Sequence, residues 1–385
     1  MKKLAIFSSC EIHPIGGPSG YLYNLTKALS NLDSCIKFIF PAQQPYSLFQ
    51  IVFRWLCSCI PSKNLRHKAR RYIQLRHIAN CINKSSKSDF FMCHSCQDLN
   101  LLDRLWKDGF IKYEKPYFIL MSHSPTLPSE ELQESAHYQG NYIDFNALKL
   151  NDIAAFESAN LIVSPSKNAM NSYYKDIPQI LNTKQFYYIT TGCQALKKHD
   201  KNEMREKFNI RTPFVICYVG RHWKIKGYDS IKIIAEKLLS ERNDVTFLIA
   251  GKQNPTLPPL KHPRWIELGW ANSAEVFSCA DIFLLPSRES YFDLVIPEAL
   301  SVGLKCILSN VGGNIDFHEI CPEIDIFSSN EEAIKAIHSY LSLSQSVRSE
   351  ISSRLIDCYY NVFSEQQFAE RYIEFSNQLP RLRCD

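Results

Sequence analysis

Short apolar runs alternate along this chain with longer stretches in which apolar residues recur every three or four positions. Leu4 to Ser8, Ile36 to Phe40, Phe90 to Cys93 and Tyr117 to Met121 have the length and composition of core strands. After Ser19, a residue type that caps helices, Leu22, Leu25, Leu29 and Leu32 keep helical spacing. The segments 161–166 (LIVSPS) and 185–192 (QFYYITTG) continue the strand series. The rhythm restarts with strand-like runs at Phe214 to Val219, Val245 to Ala250, Ile266 to Leu268, Ile282 to Leu285 and Cys306 to Leu308. Helical patterns separate them, among them Ile231, Ile234, Ala235 and Leu238. Strands alternating with helices predict an α/β chain. The polar run KKHDKNEMREKF (197–208) divides it into two similar halves.

The stretch 281–303, DIFLLPSRESYFDLVIPEALSVG, combines a buried strand, a turn and a short helix. Pro297 fits a helix near its first turn, so the helix is expected to begin near Leu294 and stop at Gly303. Its free N–H groups and positive end make an anion site, and Glu298 just inside it can accept from a sugar hydroxyl. A buried strand followed by an ordinary surface helix explains the same pattern. Upstream, Arg221 and Lys226 stand five apart in a strand-to-helix turn between Gly220 and Gly227, where two cations can reach one anionic group. Gly16 and Gly17 let backbone approach a ligand or simply make a tight turn, and Gly312 and Gly313 again mark close backbone approach, near a phosphate or the base. His94 and His123 close two of the first-half strands, the end at which open α/β sheets bind ligands.

Composition adds bounds. With 385 residues and 45% hydrophobic content, two compact domains are expected. A net charge of +5 suits phosphorylated substrates or an anionic membrane surface and does not demand nucleic acid. The 14 Cys are scattered, as in a reducing cytoplasm. CHSC (93–96) lacks the second pair a zinc site needs, so no metal is expected. No apolar run approaches the ~20 residues of a membrane span. In residues 46–84, however, Leu48, Phe49, Val52, Phe53, Trp55 and Leu56 precede Lys63, Arg66, Lys68, Arg70, Arg71 and Arg76. That pattern fits a segment lying on an anionic bilayer, or a buried helix followed by a solvated basic one. The basic run lacks interleaved aromatic platforms for nucleic acid.

The residues Pro286, Ser287, Glu298, Ala299, Leu300 and Gly303, with Gly220-Arg221 and Lys226-Gly227 before them, resemble the nucleotide-sugar signature of GT-B glycosyltransferases, the retaining family 4 in particular. The resemblance covers most of the chain, least from about 44 to 90 and from 124 to 150. It implies two Rossmann-like domains facing each other across a cleft. The first would span 1–196, with the terminal helix 365–385 packing back on it; the second would span 197–364. By the same resemblance Arg221 and Lys226 clamp the donor diphosphate and Glu298 takes the ribose. Backbone near Asp293, Leu294 and Val295 holds the sugar or β-phosphate, and His123, more than His94, lies near the transferred sugar. The loop with Gly16 and Gly17 approaches the donor phosphates. The position of the family's first Glu, with seven residues between it and Glu298, is Ser290 here, and Glu289 stands one earlier. The expected activity is transfer from a UDP- or GDP-sugar to a lipid-linked or lipopolysaccharide saccharide in bacterial surface-polysaccharide synthesis. No cofactor is required. The enzyme is expected in the cytoplasm, peripheral on the inner face of the membrane through residues 46–76. A GT-B sugar-nucleotide epimerase and a sugar-nucleotide-binding protein with a decayed site are the alternatives.

Overall fold

A computed structural model describes residues 4–14, 17–30, 32, 34–85, 87–136 and 144–383. The chain divides into two compact units, one of Met1–Ser164, Tyr173–Ile189 and Ala369–Asp385, the other of Pro165–Ser172 and Thr190–Phe368. The passage falls at Ile189. The polar run 197–208 holds a helix, Lys201–Lys207, capped by the Asp200 carboxylate accepting from Asn202 and Glu203 N–H.

The first unit is built on strands β1 (Leu4–Phe7), β2 (Ile36–Ile39), β3 (Phe90–Cys93), β4 (Tyr117–Met121), β5 (Leu161–Ser164) and β6 (Gln185–Tyr188). They form one sheet in the order β2-β1-β3-β4-β5-β6, and every pairing is parallel. The second is built on β7 (Phe214–Val219), β8 (Val245–Ala250), β9 (Trp265–Gly269), β10 (Ile282–Leu285), β11 (Lys305–Ser309) and β12 (Asp325–Phe327). These too form one parallel sheet, in the order β12-β11-β10-β7-β8-β9. Parallel strands buried on both faces read as continuous apolar runs, which is why LAIF, FFMC and IFLL were legible. All four residues of each are buried.

Each sheet reverses direction once. In the first unit the chain builds outward from β1 to β2 and then returns to β3 on the other side; in the second it runs from β7 to β9 and returns to β10. Loops leaving the carboxyl ends at such a reversal diverge and leave a crevice between them. The crevice positions are the loops after β1 and β3 in the first unit, and after β7 and β10 in the second. The second pair contains Arg221 and Pro286 to Glu298.

Several local expectations are corrected. Helix α1 (Gly17–Leu29) starts two residues before Ser19. Ser19 is no cap: its hydroxyl accepts from His13 N–H at 2.6 Å and bridges to the carbonyls of Glu11 and His13, fastening the preceding loop. The strand expected over 185–192 is shorter, because after Tyr188 the chain turns off to pair at Cys193 with Ser364. The terminal helix, Glu365–Leu382, carries residues Ala369 onward as part of the first unit. There Tyr372 donates to or accepts from Tyr21 at 2.8 Å, and Phe375 packs 4.7 Å from Tyr187.

Helices α2 (Leu48–Ser58) and α3 (Lys63–Lys84) fill the region where the strand rhythm broke. Ser47 and Gln50 form a reciprocal capping box at the start of α2. The helix is inside out. Gln50 and Cys57 are its buried residues, whereas Leu48 is 83% exposed, Phe49 75% and Trp55 68%. The reading of α2 as a buried helix is therefore not what the fold adopts.

Candidate functional site

The second unit gathers most of the candidate residues on three loops. β7 is followed by Gly220, whose N–H donates to Ala250 O at 2.9 Å. Tyr218, fully buried in that strand, sends its hydroxyl to the carbonyls of Arg221 at 2.8 Å and Lys226 at 3.4 Å. One phenol therefore pins the backbone at both cations and fixes their separation. A single tight turn, Lys224–Lys226, ends in Gly227 at φ +69°, and the helix Tyr228–Glu241 follows. Gly227 packs so closely on the end of β10 that a Cβ there would lie 1.8 Å from Pro286 O.

The loop after β10 is held on both sides. Arg288 N–H donates to Ile225 O at 2.8 Å, tying it to the β7 loop. Gly313 N–H donates to Ser290 O at 3.1 Å, tying it to the β11 loop. Gly312, at φ +45°, and Gly313 permit this contact: added Cβ atoms would stand 2.0 Å from Ser290 O and 2.0 Å from Tyr291 O. The glycine pair therefore works as a packing surface for residues 290 and 291. The helix Val295–Ser301 then begins, with Leu294 at its N-cap position, whose side chain makes no cap hydrogen bond. Gly303, at φ +75°, follows its end.

Lys226 reaches across to this loop. Its Nζ lies 2.5 Å from Asp293 Oδ1, with both side chains mostly buried. Asp293 Oδ2 also accepts from Ser290 Oγ at 3.3 Å. Glu289 turns the other way and accepts from the Ser172 hydroxyl. Ser290 and Glu289, the two positions in question for the first carboxylate, thus have different surroundings. Ser290 is coupled to the Lys226–Asp293 pair and Glu289 is coupled to Ser172. Glu298 sits in the helix as expected. Burial pushes its carboxyl above the usual range, and a hydrogen bond from Ser273 draws it partly back.

Because Lys226 is paired with Asp293, a phosphate binding here would meet an ammonium that already has a carboxylate partner. Converting Asp293 to Asn keeps the shape and removes the competing charge. The affinity for a nucleoside diphosphate should then rise by about threefold to tenfold, the scale of one charged hydrogen bond partly recovered. Titration calorimetry with UDP and GDP reads this directly, and a fall in affinity would make Asp293 a positioning residue for Lys226 instead.

In the first unit, His94 and His123 form one pair. His94 Nδ1 lies 2.9 Å from His123 Nε2, and the rings stack at 5.2 Å and 16°. Tyr21 packs against both, 5.1 Å from His94 and 4.5 Å from His123. Burial, then the neighbouring ring, pulls the His94 imidazole well below its ordinary value, and burial pulls His123 down to about 3. Both rings are therefore neutral near pH 7, one donating and one accepting. His94 Nε2 has no hydrogen-bond partner among the described residues. Gly17 opens α1, and Gly16 lies outside the described residues.

Sequence reasoning missed Tyr21, Tyr372 and Asp98. Asp98, in the first turn of the helix Cys96–Lys107 that follows β3, accepts from Ser9 N–H at 2.9 Å and so joins that helix to the loop after β1. Its place three residues after the helix cap Ser95 was the available signal. Tyr21 and Tyr372 meet from 351 residues apart, and no local pattern announces that.

Residues 213–337 match the family model described as "Glycosyl transferases group 1". Over 130 residues the chain is 34% identical to UDP-Gal:alpha-D-GlcNAc-diphosphoundecaprenol alpha-1,3-galactosyltransferase of Escherichia coli, covering 30% of this chain and 33% of that protein. Over 230 residues it is 24% identical to the O-antigen biosynthesis glycosyltransferase WclY of Escherichia coli, covering 57% of this chain and 62% of that one. The chain thus spans less than two thirds of the length of these relatives. Among solved structures it matches the catalytic domain of starch synthase IV from Arabidopsis thaliana, bound to ADP and acarbose, at 14% identity. The TM-score is 0.69, covering 98% of this chain and 99% of that one. The chain has the GT-B fold, and the segment that matches the group 1 glycosyltransferases is the one carrying Arg221, Lys226 and Glu298.

Proposed function

We propose that this protein is a glycosyltransferase that moves a sugar from a nucleoside-diphosphate donor to a saccharide carried on a lipid diphosphate. The observation that carries this reading is the convergence of three loops at the β7/β10 reversal, with Lys226 held at the entrance of the Val295–Ser301 helix. Arg221 and Lys226 neutralise the diphosphate as its charge grows on departure, which stabilises the transition state electrostatically. These two cations supply the neutralisation without a metal. Glu298 accepts from the ribose hydroxyls, and the amides of Asp293 to Val295 hold the β-phosphate or sugar. Transfer proceeds with retention, the departing phosphate helping to deprotonate the acceptor hydroxyl, as in family 4. The named relatives, one using UDP-Gal on a diphosphoundecaprenol acceptor and one acting in O-antigen synthesis, support surface polysaccharide as the product.

The donor is tested by thermal protection with a panel of UDP- and GDP-sugars, since a ligand of the folded state raises Tm with occupancy. Incubation with the stabilising donor, with and without a lipid-linked acceptor, then decides the chemistry. An epimer formed from donor alone would point to the epimerase. Donor binding without transfer would point to a decayed site, the reading that the Asp293 counter-ion to Lys226 favours.

The acceptor side is at the inner face of the cytoplasmic membrane. Among the described residues no helix is long and apolar enough to cross a membrane. The outward face of α2 supports surface docking instead, because a contiguous exposed apolar patch marks an interaction site. Fully burying a Leu, Phe or Trp side chain contributes about 1.5–3 kcal/mol each. Replacing Leu48, Phe49 and Trp55 by Ser should therefore lower co-sedimentation with anionic vesicles by about 100-fold or more, while leaving Tm unchanged because the three are exposed. Unaltered sedimentation would remove α2 from the membrane.

A further inference from the structure

A second set of cations lies in the first unit, outside the donor site. On α3, His67, Arg70, Arg71 and Gln74 stand at i, i+3, i+4 and i+7 and so share one face of the helix. With Tyr46 and Arg54 of the α2 side they line a cavity of about 400 Å³. Among the described residues no carboxylate lines it. From residue 34 to residue 88 the chain has ten Lys and Arg and no Asp or Glu. The rest of the chain has five more acids than Lys and Arg, although the whole is +5. The concentration of cations here is therefore a local feature.

The cavity is also braced. The Arg54 guanidinium lies 4.4 Å from the Tyr46 ring centroid, and Tyr46 stacks on buried His77 at 4.1 Å. His77 is itself held by Pro41 O at 3.1 Å. Arg70 donates to Ser58 Oγ at 2.9 Å, which joins α3 to the end of α2. Among the described residues neither Arg54, Arg70 nor Arg71 is in an ion pair, so the three guanidinium charges face one cavity uncompensated. Guanidinium groups bind phosphate oxygens through paired N–H donors.

Arg71 and Gln74 also line a second, larger cavity of about 530 Å³ with Ser9, Gln97, Asn100 and Asn151. Side-chain amides and a hydroxyl are suited to sugar hydroxyls. The two cavities share Arg71 and Gln74 as a wall, the basic one lined by Arg54 of α2 and the other reaching Ser9 after β1.

We infer that the Arg54–Arg70–Arg71 cavity binds the diphosphate of a membrane-anchored acceptor, whose saccharide enters the adjoining Gln97–Asn100 cavity. This deepens the acceptor reading above and rests on it. A lipid diphosphate combines the three properties that lie side by side here: an apolar tail for α2, two phosphates for the guanidinium groups and hydroxyls for the amides.

The test is vesicle binding by the full chain, with no donor present. Neutral phosphatidylcholine vesicles carry either a long-chain polyprenyl diphosphate or phosphatidylglycerol at equal surface charge. The wild type should bind the diphosphate vesicles about tenfold or more tightly, the gain from charged hydrogen bonds that headgroups at random positions do not make. Arg54→Gln with Arg71→Gln should erase that preference. Lys63→Gln with Lys68→Gln, equal in charge and outside the cavity, should weaken both vesicles alike and keep it. Arg71→Gln alone, at a side chain with no ion pair among the described residues, gives the same reading if the double variant folds poorly. Equal binding to the two vesicles would reduce the surface to headgroup attraction and overturn the proposal. So would equal losses in both variant pairs, or equally tight binding of free inorganic pyrophosphate. Donor thermal protection reads the second unit, so it remains intact if this proposal alone fails.

Discussion

Replacing Arg221 or Lys226 by alanine is expected to lower kcat/KM by about tenfold to 150-fold. Removing one charged hydrogen-bond partner of a phosphate costs ~1.5–3 kcal/mol, which converts directly to that loss of rate. The two losses should differ. Lys226→Ala removes a cation and would leave the Asp293 carboxylate beside the departing diphosphate without its ammonium partner. Lys226→Ala therefore belongs at the upper end of the range. The double change Lys226→Ala with Asp293→Asn should recover part of the loss, a coupling that a double-mutant cycle measures. Near-normal activity in both single variants would contradict the diphosphate clamp, and failure of the double variant to recover would separate Asp293 from it.

Gly227→Ala should produce the largest loss of stability. The position requires φ +69°, and the new Cβ would meet Pro286 O at 1.8 Å and Pro286 C at 2.5 Å. Left-handed backbone costs an L-residue ~1–2 kcal/mol, and forcing apart a close-packed contact adds ~1–3 kcal/mol. A total of about 2–5 kcal/mol corresponds to a fall in Tm of roughly 4–20 °C for a unit of this size. Gly109→Ala isolates the conformational part: it sits at φ +70° with nothing within 4 Å of an added Cβ. It should cost about 1–2 kcal/mol and no more. Gly227→Ala should also reduce protection by the donor, because the same contact sets the β7 loop against the β10 loop. Equal Tm values for the two variants would show that the Gly227–Pro286 contact carries no energy.

The strands were readable because a parallel strand covered on both faces has no polar positions to interrupt it, so four consecutive apolar residues suffice. The short helix after β10 was readable because Pro297 restricts where it begins and Gly303 marks where it stops. The paired glycines 312 and 313 were read as places where backbone approaches a phosphate or base, whereas the close approach within the fold is toward Ser290 and Tyr291 of the neighbouring loop. The outcome for α2 is different in kind. Its composition fits a buried helix and an exposed one equally well, since local sequence fixes the helix and not what lies beside it. The capping box at Ser47 and Gln50 was written in the sequence, yet the burial of Gln50 in place of Phe49 depends on packing.

Residue order along the chain determined two α/β halves, their parallel strands and the turn holding Arg221 and Lys226, because periodicity and turn chemistry act between neighbours. Tertiary structure alone decided that Lys226 pairs with Asp293, that His94 and His123 are one neutral pair, and that α2 turns its apolar side outward. Each of these joins or exposes groups separated by whole elements. Charge pairing and burial depend on distance in space, which the spacing of residues along the chain does not specify.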